Sequence, residues 1–147
     1  MFAHIALLIG LLTIALPAAA ADKVHKLALQ ISDGTPEKMT AVLNVAGNVA
    51  RLYGEVGEEV EIRIVAFNAG LNMLRTDKSP VLDRLKSVSE SMPNVVFEAC
   101  GNTRDNMAKA EGKTPEEIPL FAGSKIVKAG VVSLIELHEK GWVIVRP

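Results

Sequence analysis

The side chains of this sequence best placed to do chemistry lie in one stretch, Val95-Val96-Phe97-Glu98-Ala99-Cys100-Gly101-Asn102-Thr103-Arg104. The β-branched and aromatic run Val95–Ala99 reads as a strand, and Cys100, the only cysteine of the chain, stands at its end. Gly101-Asn102-Thr103 breaks the strand and opens a helix expected over Arg104–Ala110. A thiol in that position meets the unpaired amides and the positive dipole end of the helix. Both favour the thiolate, which is the nucleophilic form of cysteine. Arg104 brings a fixed positive charge nearby, whereas Glu98, on the same strand face as Cys100, opposes ionisation by like-charge repulsion. Cys100 is therefore a candidate nucleophile. The alternative is a cysteine simply packed in a core.

Where this thiol works depends on the start of the chain. Ile5–Leu16 is apolar except for Gly10 and Thr13, and Pro17 and an alanine run to Ala21 follow. This is the pattern of a signal peptide over residues 1–21, with Ala19-x-Ala21 as the cleavage motif and Asp22 as the first mature residue. The segment before it carries no Lys or Arg, and Phe2–Ala21 is also long enough to be an uncleaved membrane anchor. In either case the remaining domain, 22–147, is exported, and a periplasmic protein free of the membrane after leader removal is the expectation. An exported chain with a single cysteine has no internal disulfide, so the thiol either pairs between molecules or is kept free for chemistry.

The elements that must position Cys100 follow from periodicity. Val24–Ile31 alternates as a first strand. Ser32-Asp33-Gly34 is a turn, and Thr35-Pro36 supplies an N-cap and a first-turn proline for an amphipathic helix, Pro36–Tyr53, stopped by Gly54. Val60–Phe67 begins alternating and ends continuously apolar, as a central buried strand does. Asn68-Ala69-Gly70 closes it, and Leu71–Arg75 reads as one helical turn. Ser79-Pro80 repeats the cap-and-proline device ahead of a helix that Pro93-Asn94 ends. After the cysteine segment come a capping-box turn at Thr114-Pro115-Glu116-Glu117, a short apolar segment Ile126-Val127, a helix over Lys128–Lys140 with Gly141 at its end, and a strand Trp142–Val145. Strands alternating with helices across short turns predict a three-layer α/β/α sandwich around a mostly parallel five-stranded sheet. In such a sheet the carboxyl ends of the strands share one rim, where ligands bind. Asp33, Asn68 and Cys100-Gly101-Asn102 would meet there, with Asp33 either orienting a partner of the thiol or simply forming an Asx turn.

Other chemistries lack their motifs. There is no G-x-G-x-x-G, no Walker A loop and no G-x-S-x-G elbow, so neither a nucleotide cofactor nor a serine hydrolase is expected. No C-x-x-C is present, and His4, His25 and His138 show no zinc-ligand spacing, so no metal is expected. Acidic and basic residues nearly balance, at net charge −1, which gives no electrostatic footprint for nucleic acid. Trp142 at a strand start reads as core or interface packing.

Laid out in this way, residues 22–147 resemble the DsrE/DsrF-like family of sulfur-relay proteins. The resemblance rests on the opening strand-turn-helix, on Phe97–Thr103 as a cysteine segment with Asn and Thr following the thiol, and on Ala129–Pro147 as a closing helix and strand. It implies a flavodoxin-like sandwich, assembly into homotrimers or homohexamers, and sulfane sulfur carried as a persulfide on Cys100. The best-understood relay members are cytoplasmic hetero-complexes, whereas this chain reads as exported and acting alone. Gly101, Asn102, Thr103 and Arg104, with Asp33 and Asn68 across the rim, are the expected ligand-binding neighbours. Partners would be sulfur donor and acceptor proteins or small polysulfides. A non-catalytic small-ligand-binding or assembly protein of the same fold is the competing expectation. A stress protein that uses the thiol between subunits is a third.

Overall fold

A computed structural model describes residues 23–147, so the expected leader lies outside the described residues. The chain runs β1 (Val24–Ile31), α1 (Pro36–Glu55), β2 (Glu59–Ala66), a 3-10 segment (Asn68–Leu74), α2 (Leu82–Ser91), β3 (Val95–Cys100), α3 (Gly101–Glu111), a 3-10 turn (Pro115–Glu117), β4 (Ser124–Val127), α4 (Gly130–Glu139) and β5 (Val143–Val145). All four strand pairings are parallel, in the order β4-β3-β2-β1-β5. This is the expected three-layer α/β/α sandwich on a five-stranded sheet, and the sheet is parallel throughout.

Strand order dictates how the layers fill. The chain steps in one direction from β1 to β4, and right-handed crossovers place α1, α2 and α3 on one face. It then reverses, and α4 alone crosses the other face to reach β5. The first face holds the main core: Leu29 and Ile31, Ile62 and Ile64, Phe97 and Ala99 pack against Met39, Val42, Leu43 and Ala46 of α1 and Leu85 of α2. The alternate strand residues build a smaller core beneath α4, in which Ala28, Val65, Phe67 and Cys100 meet Leu134, Leu137 and Trp142. One helix is too narrow to cover a five-stranded sheet. Val131, Val132 and Ile135 on α4, and Ile126 and Val143 on the edge strands, are exposed.

Local chemistry accounts for the element ends, with two corrections. Thr35 caps α1 through a bond from the Lys38 amide, with Pro36 in the first turn. The helix passes through Gly54, expected to stop it, and the left-handed residue lies three positions on, at Gly57 (φ +74°). Likewise α2 begins at Leu82, and Ser79 accepts the Val81 amide ahead of the helix instead of capping it. No helix among the described residues is long and apolar enough to cross a membrane.

Candidate functional site at the end of β3

The strand-to-helix junction is tighter than expected. β3 continues through Cys100 and α3 starts at the next residue, so no loop of Gly101-Asn102-Thr103 intervenes and Cys100 is itself the N-cap. Its sulfur takes the place that a Ser or Asp oxygen holds in an ordinary cap, and it accepts the Thr103 amide at 3.4 Å. Gly101 permits the abrupt turn because a Cβ there would stand 3.0 Å from the carbonyl oxygen of Val127. The next amide, of Asn102, is bound by the Lys128 carbonyl, which locks the first turn of α3 to the end of β4.

The thiol is buried rather than open at the rim, at 5 % exposure. Cys100 pairs in register with Val127 on one side, and the pairing of Ala66 with Ala99 brings Phe67 beside it on the other. Phe67 and Leu134 belong to the same apolar cluster as the sulfur. The site thus couples one amide donor to a largely hydrocarbon surround.

The other expected site residues separate into groups. Thr103 is buried, and its hydroxyl accepts the Asn68 amide at 3.0 Å, so that hydroxyl serves the β2 loop and the sulfur receives only the Thr103 backbone. Asn68 itself adopts a left-handed conformation (φ +49°), which Asn tolerates better than most residues. The Asn102 side chain is exposed. Arg104, expected to supply positive charge beside the thiol, sends its guanidinium to the Ile118 carbonyl at 3.0 and 3.3 Å and holds the connection after α3. Asp33 bonds to Arg146 at 2.9 Å, and that bond holds its carboxyl below the ordinary range. It therefore orients the tail and not a partner of the thiol. The rim loops are nonetheless drawn together, for Phe67 and Gly70 donate to the Ile31 and Ser32 carbonyls.

Glu98 shares the face of Cys100, but its charge is balanced. It is 2 % exposed, accepts from Arg63 at 2.7 Å and takes the Ser133 hydroxyl of α4. Arg63 in turn lies over the Trp142 ring, 5.3 Å from its centroid.

One charged cluster escaped the sequence reading altogether. Arg75 has no exposed surface; it grips Asp77 through two bonds of 2.9 and 2.7 Å and also bonds to Glu111 at the end of α3. Lys78 and Lys113 close on the same Glu111 carboxylate. These bonds raise the Arg75 pKa, while the bond from Arg75 is the main cause holding Asp77 and Glu111 below the usual carboxylate range. The cluster anchors the far end of the helix that Cys100 caps. Among the described residues, no group of three or more His, Cys, Asp or Glu side chains is arranged to hold a metal ion.

No protein-family model matches the chain, and no curated protein matches it. Among solved structures it is similar to a protein of unknown function from Methanobacterium thermoautotrophicum, at TM-score 0.66 and 25% sequence identity. The match covers 84% of this chain and 99% of that one. The shared property is the α/β fold.

Proposed function

We propose that this chain is an exported sulfur carrier of the DsrE/DsrF-like kind that works through Cys100. The observation that supports it best is the sulfur acting as N-cap of an 11-residue helix and accepting the Thr103 amide. Partial positive charge at a helix start stabilises anionic sulfur, whether thiolate or persulfide. In the loading step, the Cys100 thiolate attacks the sulfane sulfur of a persulfide or polysulfide. One S–S bond forms, one breaks, and the donor leaves as a thiolate. In the unloading step, an acceptor thiolate takes the terminal sulfur and Cys100 leaves as the thiolate, with no net oxidation. One cysteine suffices. Because the sulfur is buried, part of the apolar cluster around it, which includes Phe67 and Leu134, yields before a donor reaches it. The exposed Val131, Val132 and Ile135 on α4 fit a homo-oligomer, for which the family resemblance suggests a trimer or hexamer.

The test is intact-mass measurement of the 22–147 domain after polysulfide treatment. Gain of one sulfur atom, reversed by thiol and absent in Cys100→Ser, is the expected result. No adduct, or an adduct that survives in Cys100→Ser, overturns the proposal. The burial of Cys100 favours a second reading, a binding or assembly protein with a packed cysteine. A thiol inert to iodoacetamide in the folded state would support it.

A further inference from the structure

The face of the sheet that α4 leaves open is not bare hydrocarbon. Beside α4, over β1 to β4, lies a cavity of about 610 Å³ whose floor carries Lys26, Arg63, Glu98 and Lys125 and whose wall is α4. The volume falls within the roughly 300–1,000 Å³ typical of small-molecule sites. We propose that this cavity binds a small, multiply charged anion, held chiefly by Lys125 and Lys128.

Charge bookkeeping leads to those two residues. Five cationic side chains line the cavity, Lys26, Arg63, Lys125, Lys128 and Lys140, against three carboxylates, Glu61, Glu98 and Glu136. Glu98 is spent on Arg63 and Ser133. Lys26 stands opposite Glu61 in the β1–β2 register, and Lys140 follows Glu136 by one helical turn, so each has a carboxylate close at hand. Lys125 stands opposite the already occupied Glu98, and Lys128 ends the same edge. None of these four lysines forms an ion pair among the described residues, but only Lys125 and Lys128 also lack an unoccupied carboxylate as a register or helical neighbour. The cavity therefore carries an unmatched excess of positive charge concentrated at the end of β4. Arg63 adds a buried Nε–H that has no partner. Such a buried donor is uncommon and costly.

The pattern excludes a simple hydrocarbon ligand and suits a compact anion with two or more charges. Carboxylate, phosphate and sulfur-oxyanion groups share that chemistry. The proposal does not require Cys100 to be reactive, although Val127, which lines the cavity, is the register partner of Cys100.

Calorimetric titration of the 22–147 domain with citrate, pyrophosphate and thiosulfate, at matched ionic strength, tests the site and separates the three sources. The expected result is saturable binding of at least one probe, weakened about tenfold or more in Lys125→Gln/Lys128→Gln, since each lost charge-assisted contact is worth about that factor. A control pair, Lys26→Gln/Lys140→Gln, is expected to lose much less. All four lysines are exposed, so far-UV spectra should match the unsubstituted protein. Three outcomes overturn the proposal. One is no saturable binding of any probe, and another is equal loss in both pairs, which marks diffuse charge attraction. The third is a self-associated form in sedimentation that dissolves in Lys125→Gln/Lys128→Gln, which makes the face an interface between copies.

Discussion

The Thr103 hydroxyl accepts the Asn68 amide at 3.0 Å while the Thr103 amide donates to the sulfur of Cys100. One residue thereby ties the start of α3 to the end of β2 and fixes the surroundings of the thiol. Thr103→Val keeps the shape and removes the hydroxyl, leaving the Asn68 amide without its acceptor. The expected cost is about 0.5–1.5 kcal/mol, the net worth of an ordinary hydrogen bond, because Asn68 is exposed and water can reach its amide, with Thr103→Ser costing less. Urea denaturation of the three proteins measures it. Equal stability of Thr103→Val and the unsubstituted protein would show that water replaces the hydroxyl without loss.

Phe67 follows Ala66, the register partner of Ala99, shares the apolar cluster of Cys100 and is 8 % exposed. If it is the cover over the sulfur, its removal opens the thiol. Phe67→Ala is expected to speed iodoacetamide labelling of Cys100 about tenfold or more in conditions where both proteins stay folded, at a stability cost of about 3 kcal/mol. Labelling kinetics followed by mass spectrometry, with denaturation curves alongside, separate local opening from global unfolding. An unchanged labelling rate would move the route to the sulfur elsewhere, most directly to the start of α4.

These relationships show where the sequence speaks and where it falls silent. β1 and the start of α1 are legible because alternation, the Thr35 cap and Pro36 are all local signals. β4 is visible only as Ile126-Val127, because an exposed four-residue edge strand carries no alternating pattern. Cys100 and its helix are legible for the same local reason. The destination of Arg104 is not, since Ile118 lies 14 residues further on. Arg75 is the clearest omission. Its partner Glu111 is 36 residues away, and a lone arginine beside a polar turn gives no sign that folding will bury it.

Burial of Arg75 makes the domain sensitive to acid. Asp77 and Glu111 have depressed folded-state pKa values, first because of their bonds to Arg75. At a pH near the ordinary carboxylate value of about 4, the unfolded chain takes up more protons than the folded one. Their stabilisation is therefore present in full above that value and is lost as pH falls through it toward the folded-state values. Urea midpoints measured from pH 7 to pH 3 should hold steady and then drop. Glu111→Gln should lower the plateau and flatten the drop. Arg75→Met removes the partner that grips Asp77 and leaves Glu111 with Lys78 and Lys113 alone, and should lower stability at neutral pH, less than a fully buried pair would because both carboxylates are partly solvated. An acid limb of unchanged steepness in Glu111→Gln would assign the drop to other carboxylates.

Two glycines three residues apart offer opposite outcomes at the end of α1. Gly54 lies inside the helix, and a Cβ there meets nothing within 4 Å. Gly54→Ala should stabilise the domain by about 0.5–1 kcal/mol, through better helix propensity and a less flexible unfolded chain. Gly57 has equally open surroundings but sits at φ +74°, a conformation an L side chain resists. Gly57→Ala should destabilise by about 1 kcal/mol, because the left-handed backbone now carries a Cβ. Thermal and urea unfolding of the two variants give the comparison directly. Should Gly54→Ala destabilise and Gly57→Ala prove neutral, the helix ends at Gly54 and the turn before β2 is built differently from the one described.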